Sequence, residues 1–98
     1  MPTHVRIYRI KPSELADFVD EWRSQVGPLR RRFGFEVTHA WASLEDDTFV
    51  WVVSRDGDDW DDAERAYYES AERVSMSPDP ARRILEPSGF FARHVELP

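Results

Sequence analysis

The segment Phe49 to Val53 (FVWVV) constrains the fold more than any other part of the chain. Rich in Val and aromatic residues and set between two acidic, turn-prone segments, it reads as a β-strand. A half-buried strand alternates apolar and polar residues, yet here both faces are apolar. Phe49, Trp51 and Val53 share one face, and Val50 and Val52 share the other. The sheet holding this strand therefore needs cover on both sides, in a chain of only 98 residues.

The neighbouring segments supply one cover. His4 to Ile10 (HVRIYRI) alternates as a strand. Pro12-Ser13-Glu14 opens a helix, with Pro in the first turn and Ser as the expected cap. Leu15, Phe18, Val19, Trp22, Val26 and Leu29 then step by three and four along one stripe. Gly27-Pro28 predicts a kink or restart, because Pro28 has no N–H to donate. Phe35 to Leu44 and Thr48 to Ser54 read as a hairpin about Glu45-Asp46-Asp47. Asp58 or Asp59 starts a second helix with the stripe Trp60, Ala63, Tyr67, Ala71 and Val74. Ser77 to Pro80 breaks it, Ala81 to Leu85 makes a short turn, and Gly89 to Leu97 is the last strand. The order β-α-β-β-α-β predicts one α+β domain over residues 1–98, a ferredoxin-like antiparallel sheet with both helices on one face.

Such a sheet has a bare side. Val5, Ile7, Val50 and Val52 are assigned to the helices, which leaves Tyr8, Ile10, Phe49, Trp51 and Val53 on the open face. By alternation, Val37, His39 and Trp41, with Phe90 or Phe91, join them. Leaving five such side chains in water forfeits about 1.5–3 kcal/mol each. That sum rivals the ~5–15 kcal/mol stability of a whole small domain. A second copy related by a two-fold axis is the simplest cover. A homodimer is expected.

Composition narrows the function. A net charge of −6 argues against nucleic acid, which needs a basic face. Arg30-Arg31-Arg32 is read as a helix end complementing the dipole. No apolar run approaches the ~20 residues of a membrane span. MPTHVRIYRI lacks the apolar core of a signal peptide. With cysteine absent as well, a cytoplasmic location is expected. The acidic run from Asp56 fails as a calcium loop, because Trp60 and Asp61 fall at ligand and glycine positions. No metal site or cofactor is called for. His4 opens the first strand and His94 closes the last, so antiparallel pairing would bring them together as a metal or pH-sensitive site. The plainer reading, of ordinary strand residues, is preferred.

Over nearly its full length the chain resembles the NIPSNAP-like branch of the dimeric α+β barrel proteins. The resemblance lies in Arg6-Ile7-Tyr8 with Lys11-Pro12, and in Gly34 with Trp41. It continues in FVWVVSRD, leading into a helix with Tyr67-Tyr68-Glu69-Ser70. It implies two ferredoxin-like sheets facing each other as a barrel. Two positions depart from the pattern. Ser13 and His39 stand where the family usually has Gly.

His39, Arg6, Tyr8, Trp41 and Trp51 are the candidate site, because one choice of strand phase turns all five into the space between the sheets. His39 is the candidate general base and Arg6 the candidate anion stabiliser. Tyr8, Trp41 and Trp51 are candidate surfaces for a small aromatic or apolar ligand. Of Tyr67 and Tyr68, the first fits the buried stripe and the second falls to a rim or interface. The plain alternative is that these residues only fill the barrel. Two functions stand: a non-catalytic dimeric binding or scaffold protein, and a cofactor-independent enzyme, monooxygenase-like or isomerase-like, on an aromatic substrate. The second rests on the resemblance, since relatives in the wider superfamily include monooxygenases acting on aromatic polyketides.

Overall fold

A computed structural model describes residues 1–98. The elements are β1 (Thr3–Ile10), α1 (Leu15–Glu21), a π-helical turn (Trp22–Val26), α2 (Gly27–Arg32), β2 (Glu36–Ser43) and β3 (Thr48–Ser54). They continue with α3 (Trp60–Glu69), α4 (Ala71–Val74), a 3₁₀ turn (Pro80–Arg83) and β4 (Ile84–Ala92). The strands form one antiparallel sheet in the order β2-β3-β1-β4. This is the ferredoxin-like α+β arrangement, and it agrees with the element order read from the sequence.

The strand phase is the reverse of the one assigned above. Phe49, Trp51 and Val53 are buried beneath the helices, and Val50 and Val52 lie on the open side. In β1, Arg6, Tyr8 and Ile10 share the helix side, since they pair with Trp51, Phe49 and a residue beyond the register shift. Size decides the matter. Large rings fill the deep space between sheet and helices, where Trp51 meets Trp22 and Phe49 meets Phe18. The smaller Val5, Ile7, Val50 and Val52 line the flat outer face, together with Trp41 and Phe90, which are both more than half exposed. A register irregularity between Val37 and His39 puts Val37 inside and His39 and Trp41 outside. The open face is thus apolar, but not with the residues first assigned to it.

The helical layer has the break expected at Gly27-Pro28 and shows three further differences. Pro28 has no N–H, and the turn before it widens so that Gly27 N–H bonds to the Trp22 carbonyl five residues back. Ser13 makes no cap. It sits at φ 64°, in the left-handed region that favours glycine, and the N-cap position falls to Glu14. Helix α3 stops at Ser70, which turns to extended backbone and caps α4 by accepting from Arg73 N–H. Ala71 and Val74 therefore leave the buried stripe and stand exposed. Asp59 does hold the N-cap of α3, but its carboxylate accepts from Arg55 Nε and Nη2 at 2.9 and 3.1 Å instead of capping.

The last strand begins five residues earlier than predicted. Pro87 is tolerated in it because β4 is an edge strand. Gly89 is required, since a Cβ there would lie 2.6 Å from the Val5 carbonyl oxygen and 2.7 Å from the His4 ring. His94 lies beyond β4, away from the antiparallel pairing, while His4 packs on Phe91 at 4.7 Å.

Candidate functional site

The five candidate residues divide into two groups on opposite faces of the sheet. His39 and Trp41 stay together on the open face, stacked at 5.4 Å with planes 12° apart. His39 Nδ1 lies 2.9 Å from the Thr38 hydroxyl, exposed. Arg6, Tyr8 and Trp51 stay together on the helix side, with the Arg6 guanidinium over the Trp51 ring at 5.4 Å and Tyr8 edge-on to Trp51 at 6.4 Å. The convergence of all five does not occur, because the register irregularity after Val37 turns His39 and Trp41 to the face opposite Arg6, Tyr8 and Trp51. Within one chain, His39 and Arg6 do not meet.

Tyr8 and Trp51 of the helix-side group border a cavity of about 180 Å³ between sheet and helices. Its floor is Tyr8 and Trp51, and its walls include Trp22, Val26, Arg30 and Tyr67. Tyr68 and Arg73 stand at one side, and the 3₁₀ turn closes it with Pro80 and Ala81. The π-helical turn carries both Trp22 and Val26, so the distortion forced by Pro28 shapes one wall. The lining is mostly aromatic and aliphatic with a few polar groups, which is the usual make-up of a small-molecule pocket.

Arg30 organises the polar side. It is 1% exposed, unlike the solvated dipole partner expected of the Arg30–Arg32 run. Its guanidinium lies 3.9 Å from the Tyr67 ring and 4.8 Å from that of Phe35. Nη1 donates to Glu64 and Nη2 to the Tyr68 hydroxyl at 3.2 Å. Arg6 reaches the same two partners, Glu64 at 3.0 Å and the Tyr68 hydroxyl at 3.4 Å. Burial opposes the charge on Glu64, but the hydrogen bond and charge of Arg30, with those of Arg6, hold its carboxyl below the ordinary range. Burial pushes the Tyr8 and Tyr67 phenols up, against the pull of Arg6 on the first and Arg30 on the second. Both are neutral at pH 7.

Four buried side-chain polar atoms have no hydrogen-bond partner: Trp22 Nε1, Trp51 Nε1, Arg30 Nε and the Tyr67 hydroxyl. All four belong to residues lining this cavity. Trp51 Nε1 lies near the Tyr8 hydroxyl without completing a hydrogen bond. Buried polar groups are nearly always paired, so four unpartnered atoms on residues around one space set this region apart. Three of them are donors only, and an acceptor would satisfy them.

Arg30 and Glu64 were missed as site residues, although a signal existed. Arg30 follows Val26 by four, and Glu64 follows Trp60 by four, so each continues its helix's inward stripe.

No family model matches the chain, and no curated protein matches it. Solved structures do. An uncharacterized NIPSNAP domain protein from Burkholderia xenovorans superposes with a TM-score of 0.83 at 12% identity, covering 97% of this chain and 95% of the other. The chain has the fold of the NIPSNAP domain proteins. A NIPSNAP family protein from Agrobacterium tumefaciens gives a TM-score of 0.83 at 11% identity, covering 97% and 93%. A putative antibiotic biosynthesis monooxygenase from Nitrosomonas europaea gives 0.69 at 16% identity, covering 98% and 100%. At these identities the likeness is one of fold. No helix is long and apolar enough to cross a membrane.

Proposed function

We propose that this is a homodimeric small-molecule-binding protein whose ligand sits in the cavity between sheet and helices, against Trp51, Trp22 and Tyr67. The single observation that carries this reading is the set of four unpartnered buried polar atoms around one aromatic cavity. Site assignments change accordingly. Tyr8 and Trp51 keep a ligand-contact role, and Arg6 supports the polar wall through Glu64 and Tyr68. Trp41 and His39 belong to the outer face, with no part in this cavity.

Volume sets the class of ligand. An apolar cavity of roughly 150 Å³ holds benzene, so about 180 Å³ suits one aromatic ring with a small substituent. A polycyclic aromatic substrate exceeds it. The enzyme reading also loses its base, because His39 lies on the other side of the sheet from Arg6.

The dimer rests on the open face, where Val5, Ile7, Val50 and Val52 form an apolar centre flanked by Trp41 and Phe90. Their exposure carries the same energetic cost argued from the sequence, with different residues.

A thermal-shift panel of one-ring aromatics on wild type and Ala81→Phe tests the cavity. Ala81 is exposed at the edge of the space, so the larger ring blocks entry without disturbing the core. Stabilisation of wild type that disappears in Ala81→Phe is the expected result. Equal shifts in both proteins, or none in either, would remove the cavity as a ligand site.

A further inference from the structure

The charges beside the cavity do not balance. Arg6 and Arg30 are both buried and share a single carboxylate, Glu64. Arg73 is already paired with Asp79 at 3.3 Å and leaves no excess. His4 accepts from Arg6 Nε at 3.1 Å, and burial with the Arg6 charge holds its pKa down, so it adds no positive charge at pH 7. The two buried phenols contribute no negative charge there. One positive charge is left over.

Aromatic faces around Arg30 ease this excess through their quadrupoles, but they supply no net charge. An unpaired charge in a low-dielectric site is costly, and an anion bound beside it is correspondingly favoured. Arg30 has donors to spare, because Nη1 and Nη2 each make one hydrogen bond and Nε makes none. The two tryptophan N–H groups are likewise free to donate.

We propose that the occupant is a monoanion, a one-ring aromatic carboxylate whose single charge completes the Arg6–Arg30–Glu64 cluster and whose oxygens accept from these idle donors. The inference rests on the cavity being a ligand site and adds the charge of the ligand to it. A neutral ring leaves the cluster unbalanced, and a dianion overshoots it.

Benzoate and benzamide match in size and shape and differ in charge, so calorimetric titration of both into the full-length protein isolates the electrostatic claim. On wild type, benzoate is expected to bind about tenfold or more tightly than benzamide. In Arg30→Gln the cluster becomes neutral, and the preference for benzoate over benzamide should collapse. Arg6→Gln makes the same charge change and replaces Arg30→Gln if that variant does not fold. Benzamide binding as tightly as benzoate, with both blocked by Ala81→Phe, would overturn the monoanion and leave the cavity reading standing. Binding of neither compound would overturn both. Benzoate binding unaffected by Ala81→Phe would assign the anion to the surface and overturn the inference.

Discussion

Trp22 and Trp51 meet edge to face, their ring centroids 5.4 Å apart and their planes at 73°. One stands on the π-helical turn and the other on the central strand β3, so this contact joins the two layers where the cavity lies. Neither indole N–H has a partner. The pair is at once core packing and the wall of the candidate site.

The contact separates the two faces of β3 by experiment. Trp51→Ala removes a ring that is 1% exposed and should cost about 3–5 kcal/mol in urea unfolding. Val52→Asp places a charge on the open face. It should leave the subunit folded by circular dichroism and yield an 11.5 kDa monomer by light scattering, where the proposed interface predicts a dimer for wild type. A Val52→Asp protein that is still dimeric would contradict the sheet-face interface.

Element order and turns were legible because each rests on a local signal: a helical stripe, an acidic turn, a Pro at a helix start. The phase of β3 was not. In FVWVV both faces are apolar, and only the volume between layers, a property of the assembled fold, sends Trp51 inward and Val52 outward. That phase carries Arg6, Tyr8 and Ile10 with it, whereas His39 parts from Arg6 at the irregularity after Val37, which simple alternation along β2 does not foresee. The start of β4 was hidden for another reason. Pro87 and Gly89 resemble a loop, but an edge strand tolerates the first, and close approach to Val5 demands the second. Arg30 was misread because a run of three arginines at a helix end has an adequate surface explanation, and burial of its first member depends on Tyr67 and Glu64 from another helix.

Acid should loosen the turn that closes the cavity. Glu21 accepts from Arg82 and Arg83 at 3.0–3.1 Å, and these hydrogen bonds hold its carboxyl below the usual 4.5. The unfolded chain thus binds a proton more readily than the folded one. The stabilisation is complete above about pH 4.5 and is lost as pH falls through the lower folded value. Glu21→Gln should cost about 1–2 kcal/mol at pH 7, with the gap to wild type narrowing toward pH 3 in urea titrations. A gap of constant size at both pH values would assign the loss to packing.

The indole N–H resonances of the four tryptophans test the central claim most directly. They are assigned by single Trp→Phe variants and followed in a nitrogen–proton correlation spectrum as benzoate is added. A ligand in the cavity should move the Trp22 and Trp51 signals downfield, as their idle donors gain an acceptor, while Trp41 on the outer face stays in place. Movement of Trp41 with Trp22 and Trp51 unchanged would place the ligand on the open sheet face and contradict the account.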